Sequence, residues 1–238
     1  MRILGVDTST TTASVALIDG GETSIGFTSA RGNHSETVLP LIQAVLDKAD
    51  CQLADLAAIA IAIGPGSFTG LRIGLALIKG LAYRGNLPVI GVSSLEAQAA
   101  RVRELAGLIC PLLDARKQEV YAAVFERRDG ILLRRMADRA CAITSIATLF
   151  DPASAAPPIA FVGAGAERYR EELLRMFNGR ARLIGEANAE SAAHAVARLA
   201  LGRFADASRG DLGQLVPFYL SASTGLGNTH GIVPNPLK

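Results

Sequence analysis

The sequence predicts an α/β protein with an internally duplicated architecture, and three observations point there. The hydrophobic period changes along the chain: alternation at Ala13, Val15 and Leu17 gives way to helical spacing at Val38, Leu41, Ile42, Val45 and Leu46. An unbroken apolar run over 56–63 leads into a glycine-rich loop and then a helix, as expected for a strand covered on both faces. The second half also restarts the first. Asp114 closes the apolar run GLICPLLD as Asp7 closes RILGVD. Counting six, eight and ten residues on from Asp7 reaches Ala13, Val15 and Leu17, and the same count from Asp114 reaches Val120, Ala122 and Val124.

Taken in order, 2–7 reads as a buried strand and the alternating run after it as a second. Asp19-Gly20-Gly21 is a hairpin turn into a third strand near 23–28. Asn33, three residues before Glu36, is a capping-box variant that opens the next helix, and Pro40 kinks that helix or marks its first full turn. After the strand at 56–63 a helix is expected over 71–84, with Gly85 as its C-cap and Pro88 beyond. A short strand at 88–92 follows, and Ser93 or Ser94 caps the next helix. Further on, 159–162 reads as a strand, and 166–177 and 190–204 as helices. Beyond Ser221 the chain turns to Ser, Gly, Asn and Pro, the composition of a loose tail. The expected division is 1–103 as an N-terminal lobe, 104–220 as a C-terminal lobe and 221–238 as the tail.

With 238 residues and half of them hydrophobic, the chain buries a substantial core. Its 24 basic and 22 acidic residues leave only +2, which argues against a protein that holds nucleic acid alone. Any RNA contact would need a partner. Cys51, Cys110 and Cys141 form no CxxC or CxxH pair, so the expectation is free, buried thiols in a reducing compartment. The start, MRILGVDTST, has neither the apolar core nor the cleavage site of a leader, and the longest apolar stretch is too short to span a bilayer. A cytoplasmic protein with no membrane contact is expected.

The loop from Gly64 to Gly70, GPGSFTG, stands between a strand and a helix. Amides at such a helix start favour an anion, which makes Gly64, Gly66 and Ser67 candidates for holding phosphate. No GK[ST] closes the loop, and its third glycine falls one position late for a dinucleotide fingerprint. The other reading is that the glycines permit tight turning and close packing. Asp7, followed by Thr8 and Ser9, would orient a metal-bound water while the hydroxyls hold phosphate, or would simply bond the turn after its own strand. Asp114 invites the same two readings. Gly163 and Gly165 admit a close adenosine or make a plain turn. His34, His194 and His230 show no i,i+4 pairing, so HxxxH and HExxH metal sites are absent, and no GxSxG elbow exists. Arg72 would meet a phosphate, a partner's carboxylate or an ordinary surface acid.

In combination, GVDTST, HSETVLPLI and GPGSFTGLRIGLALIKGLA resemble the TsaB (YeaZ) family, strongly over about the first hundred residues. The likeness is weaker afterwards, at DARKQEVYAAVF and VPFYL. It implies an actin-like ATPase (ASKHA, RNase H-like) fold: α/β, two duplicated lobes with mixed sheets flanked by helices. The family is a paralogue of a catalytic subunit, TsaD, whose metal-binding HxxxH follows a short strand. Ser94 and Gln98 stand at the corresponding positions here, and neither supplies the imidazole nitrogen a transition metal needs.

The resemblance therefore implies a non-catalytic subunit with no bound metal and no required cofactor, beyond weak ATP or ADP binding. It pairs with a TsaD-like subunit, meets a TsaE-like ATPase and reaches tRNA only through that complex. The threonylcarbamoyl group goes to the adenosine next to the anticodon. Pairing in the family uses the first-lobe helices, here His34, Val38, Leu41, Ile42 and Val45 on one and Arg72, Ile73, Leu77 and Leu81 on the next. An exposed pairing face implies a homodimer when the partner is absent. The alternatives are a free-standing small-molecule kinase, a peptidase, or a nucleotide-binding sensor without turnover.

Overall fold

The computed structural model describes residues 1–20, 24–150, 158–185, 189–204 and 212–220. Its chain forms two five-stranded sheets. The first contains β1 (Arg2–Asp7), β2 (Thr12–Asp19), β3 (Ser24–Arg31), β4 (Leu56–Gly64) and β5 (Val89–Ser93), ordered β3-β2-β1-β4-β5. The second contains β6 (Gly107–Arg116), β7 (Glu119–Arg128), β8 (Ile131–Ala142), β9 (Ile159–Val162) and β10 (Ala181–Ile184), ordered β10-β9-β6-β7-β8. Adding five to each strand number of the first sheet reproduces the second. Each sheet is mixed: an antiparallel meander of three strands, with two more strands running parallel to its first. The duplication read from the two aspartates is thus a duplication of topology. Its inner positions match too, with Ala13, Val15, Leu17, Val120 and Ala122 fully buried and Val124 nearly so.

Among the described residues, α1 (His34–Lys48), α2 (Phe68–Gly85) and α3 (Ser94–Ala100) accompany the first sheet, and α4 (Ala164–Arg168) and α5 (Arg170–Phe177) pack on the second. A sixth, α6 (Ala192–Arg203), comes late in the chain. The strand β4 explains why both faces of the first sheet are covered. Its Ile59, Ile61 and Ile63 join Val38, Ile42 and Val45 of α1 and Leu75 and Ile78 of α2 in one core. Its Ala58, Ala60 and Ala62 face the other way, against Val196, Ala197 and Ala200 of α6. Large residues on one face and alanines on the other let α6 come close to the strands. A Cβ built on Gly5 of β1 would lie 2.2 Å from the Ala193 carbonyl oxygen. The Ser14 hydroxyl accepts the Ala193 N–H at 3.3 Å.

This packing moves the lobe boundary. The sequence division puts 104–220 in the second lobe, yet α6 belongs to the first compact unit, with Met1–Ala97 and Phe218, while Gln98–Glu190 form the second. The alanine face of β4 needs a helix, and α6 supplies it.

Several helix ends also differ from expectation. The helix α2 starts at Phe68 rather than 71, because the Ser67 hydroxyl caps it by accepting the Gly70 N–H at 3.2 Å. It stops at Asn86, which takes the left-handed conformation (φ 50°) expected of Gly85. The single helix expected over 166–177 is two, broken at Tyr169, whose side chain is buried in the second core. Asn33 caps α1 as predicted, accepting from the Ser35 N–H and donating to Glu36, and the helix runs on through Pro40. Ser93 is the cap of α3, its hydroxyl accepting the Glu96 N–H. Gly21 and the tail expected over 221–238 lie outside the described residues.

A methyl group at Gly5 would force α6 off β1. Gly5→Ala is expected to destabilise the chain by about 1–3 kcal/mol, read as a lowered midpoint in urea unfolding.

Candidate functional site

The candidate residues of the first lobe converge on the turn between β1 and β2. Asp7 is 2% exposed, and its Oδ1 accepts the Ser9 N–H at 2.8 Å. The carboxylate therefore braces the turn that follows its own strand. The glycine loop packs directly on this turn. The Ser67 N–H donates to the Ser9 carbonyl at 2.7 Å, and the Leu71 N–H to the Ser67 carbonyl at 2.9 Å. A Cβ on Gly66 would lie 2.3 Å from the Ser9 carbonyl oxygen; on Gly70, 2.2 Å from that of Thr8; on Gly74, 2.2 Å from Thr8 Oγ1. Gly70 and Gly74, four apart, line one side of the helix start, and Gly66 stands just before its Ser67 cap. Thr8 and Ser9 fill the space that three side chains would occupy.

Two further contacts fix this arrangement. His34, the first residue of α1, is buried, and its Nε2 lies 2.8 Å from the Thr10 carbonyl oxygen. A carbonyl only accepts, so Nε2 carries the proton. Gly64 has φ 120°, a conformation costly for any other residue, and a Cβ there would lie 2.3 Å from the Phe218 carbonyl oxygen. The late segment containing VPFYL docks here, with the Phe218 N–H donating to the Ile63 carbonyl at 2.7 Å. Thr8 Oγ1, Ser9 Oγ and His34 Nδ1 are buried polar atoms without a hydrogen-bond partner among the described residues. The loop amides of Ser67 and Gly70 are committed to the chain itself.

The second lobe repeats the pattern. Asp114 Oδ1 accepts the Arg116 N–H at 3.0 Å, two residues on, as Asp7 does with Ser9. Its Oδ2 accepts from Arg168 Nη1 at 3.1 Å. Gly163 follows β9 with φ 100°, as Gly64 ends β4. Cβ atoms on Gly163 and Gly165 would lie 2.7 and 2.9 Å from the Leu112 carbonyl oxygen. In both lobes the carboxylate closes a turn and the glycines admit a neighbouring carbonyl. Asp7 and Asp114 belong to separate units, so the two halves stand as two local arrangements.

Ser94 and Gln98 are both buried and both engaged. Ser94 Oγ accepts the Gly64 N–H at 3.1 Å, and Gln98 Oε1 accepts from Arg101 Nη1 at 2.7 Å. Among the described residues no three His, Cys, Asp or Glu side chains gather as metal ligands, and no helix is long and apolar enough to cross a membrane. Cys51, Cys110 and Cys141 are free, and burial pushes the Cys110 thiol far up.

The pairing surface expected from sequence needs correction. Val38, Ile42 and Val45 are at most 2% exposed and face the sheet, and His34 is turned onto the β1–β2 turn. Helical periodicity marked the inward stripe of α1. Leu41, Leu77 and Leu81 are half-buried against the same core, Ile73 is half-buried, and Arg72 is exposed. The outward apolar groups are Leu39 at 48%, Phe68 at 53% and Tyr83 at 84% exposure. The Arg72 guanidinium stacks 3.7 Å from the Phe68 ring centre. These residues lie off the periodic stripe, and that is the signal by which sequence reasoning passes them over.

Residues 27–198 match the family described as TsaD: tRNA N6-adenosine threonylcarbamoyltransferase. A relative from Bacillus subtilis (strain 168), named tRNA threonylcarbamoyladenosine biosynthesis protein TsaB, is 39% identical over 140 residues, 58% of this chain and 61% of that protein. The chain belongs to the TsaB (YeaZ) branch of that family. It spans about three fifths of the length of this curated relative. A solved structure, described as an uncharacterized protein with similarity to peptidase YEAZ from Pseudomonas aeruginosa, superposes with TM-score 0.77 at 29% identity, covering 92% of this chain and 99% of that one. Component A of (R)-2-hydroxyglutaryl-CoA dehydratase from Acidaminococcus fermentans shares the fold alone, at 13% identity and TM-score 0.55 over 86% of this chain and 99% of that one.

The glycines of this TsaB-family helix separate cleanly into packed and open positions. Gly74→Ala would drive a methyl into Thr8 and is expected to destabilise by about 1–3 kcal/mol. Gly80, in the same helix with nothing near its absent Cβ, predicts the opposite: Gly80→Ala stabilises by about 0.5–1 kcal/mol. Paired thermal melts of the two variants check both signs.

Proposed function

We propose that this chain is the non-catalytic subunit in formation of threonylcarbamoyladenosine in tRNA, pairing with a TsaD-like catalytic subunit in the cytoplasm. The observation that carries this reading is the commitment of Ser94 and Gln98. At the positions where the catalytic paralogue has its metal-binding histidines, these side chains hold the Gly64 amide and the Arg101 guanidinium instead. Hydroxyl and amide oxygens are poor donors for a transition metal, and here each already has a hydrogen-bonding task. The names of the relatives support the pathway. A free-standing kinase is disfavoured by Asp7 and Asp114, the carboxylates it would rely on, since each braces its own turn.

Pairing is assigned to the outward sides of α1 and α2. Leu39, Phe68 and Tyr83 leave large apolar surface in water there, and the Arg72–Phe68 stack adds a cation beside it. A TsaE-like ATPase would join the resulting pair, and the chain alone would self-associate through the same surface. The expected result of size-exclusion with light scattering is a stoichiometric heteromer of this chain with its cognate HxxxH-bearing paralogue. Leu39→Glu combined with Tyr83→Glu should leave the melting temperature unchanged and weaken pairing by roughly tenfold or more. Reconstituted tRNA modification should fail with that variant, and normal pairing by it would refute the assignment.

A second proposal concerns nucleotide. Thr8 Oγ1 and Ser9 Oγ, buried and unpartnered at the β1–β2 turn, favour weak ATP or ADP binding without turnover. Calorimetric titration should detect it in the wild type and lose it in Thr8→Val. Absence of heat for the wild type, alone and in complex, would end this reading.

A further inference from the structure

The turn between β6 and β7 is built against the conformational preference of its own residues. Arg116, Lys117 and Gln118 all have positive φ, at 67°, 49° and 61°. Glycine, asparagine or aspartate would adopt this backbone at lower cost, and the turn carries three long side chains instead. All three are exposed. The backbone is nevertheless braced from both sides. Asp114 Oδ1 accepts the Arg116 N–H at 3.0 Å, and the Gln118 carbonyl accepts the Ile143 N–H at 2.9 Å.

The charges around the turn do not cancel. Asp114 is bonded to Arg168 at 3.1 Å. Glu119 stands opposite Arg116 across the turn. On β8, in the same ladder, Ala142 lies opposite Glu119 and Arg139 opposite Ala122. Four cations, Arg116, Lys117, Arg139 and Arg168, thus accompany two carboxylates, Asp114 and Glu119. In a chain whose total balance is only +2, this is a local excess on a hydrogen-bonded turn.

We propose that Arg116 and Lys117 contact the sugar–phosphate backbone of RNA. The shared chemistry is a phosphate oxygen, and the polymer is favoured over a free nucleotide. Two adjacent, solvent-facing cations suit an extended polyanion, which needs no enclosure, whereas a nucleotide is held by burying its base and ribose. The proposal rests on the reading of the chain as a tRNA-modification subunit. Contacts of this kind orient RNA without reading its sequence.

The test measures fluorescence anisotropy of labelled cognate tRNA with the complex of this chain and its catalytic paralogue, across a salt series. Two double variants are compared with the wild type, Arg116→Gln with Lys117→Gln, and Arg116→Gly with Lys117→Gly. Both should bind tRNA roughly tenfold more weakly, with the slope of log K against log salt reduced by about two. The glycine pair should also melt at a higher temperature, since it relieves the positive φ while losing the cations. Unchanged affinity and slope in a complex that still modifies tRNA would overturn the proposal. So would variants that lose pairing with the paralogue, which marks a protein contact, or that lose ATP binding with tRNA binding intact, which marks a nucleotide site. If the wild-type complex neither forms nor modifies tRNA, the functional reading fails instead. The chain alone with tRNA then decides: binding that both variants weaken upholds the turn, and no binding overturns it.

Discussion

The structure of the first lobe depends on one close approach, that of the α2 start to the β1–β2 turn. It is possible because Gly66, Gly70 and Gly74 lack side chains, so that the carbonyls of Ser9 and Thr8 and the Thr8 hydroxyl occupy the vacated space. Interiors are packed to crystal-like density, and a single methylene at any of these positions has nowhere to go. The contact also orients α1, since His34 bonds to the same turn through Thr10. Both helices whose outer sides are assigned to pairing are therefore registered against one short polar turn. A disturbance of that turn would be felt by both.

The duplicated lobes use the same devices with different consequences. In each, an aspartate at the end of the first strand braces the following turn, and a glycine of positive φ after the fourth strand admits a neighbouring carbonyl. In the first lobe the turn is buried and made of Thr8 and Ser9; in the second it is exposed and made of Arg116, Lys117 and Gln118. The repeated backbone serves as a scaffold on which burial decides the chemistry. A hydroxyl-bearing turn under a helix start keeps its polar atoms inside, while a basic turn standing in water presents its cations to solvent.

Ser94 and Gln98 show how buried polar side chains tie neighbouring groups together. Both lie in the short helix that follows β5, buried and hydrogen-bonded. Ser94 holds the Gly64 amide and Gln98 the Arg101 guanidinium, a task that polar, uncharged side chains serve well.

The strands of the first sheet, the repeat, the Asn33 cap and the both-sides burial of β4 were legible in the sequence, because each rests on local periodicity or on turn chemistry within a few residues; the order in which the strands pair, and the strands β8 and β10, were not. Family membership was legible in the glycine motif. The division of α2's glycines into packed and open was not, because the group filling each space, Thr8 or Ser9, lies about sixty residues away in the chain. The inward direction of Val38, Ile42 and Val45 needed the sheet they pack on, since a periodic stripe names a buried face without naming what buries it. The placement of α6 on the first sheet likewise followed from the alanine face of β4, a long-range complementarity of size. What sequence alone determined was which residues could be inside. Which partner each one met, and so which polar groups were left for function, was decided by tertiary packing.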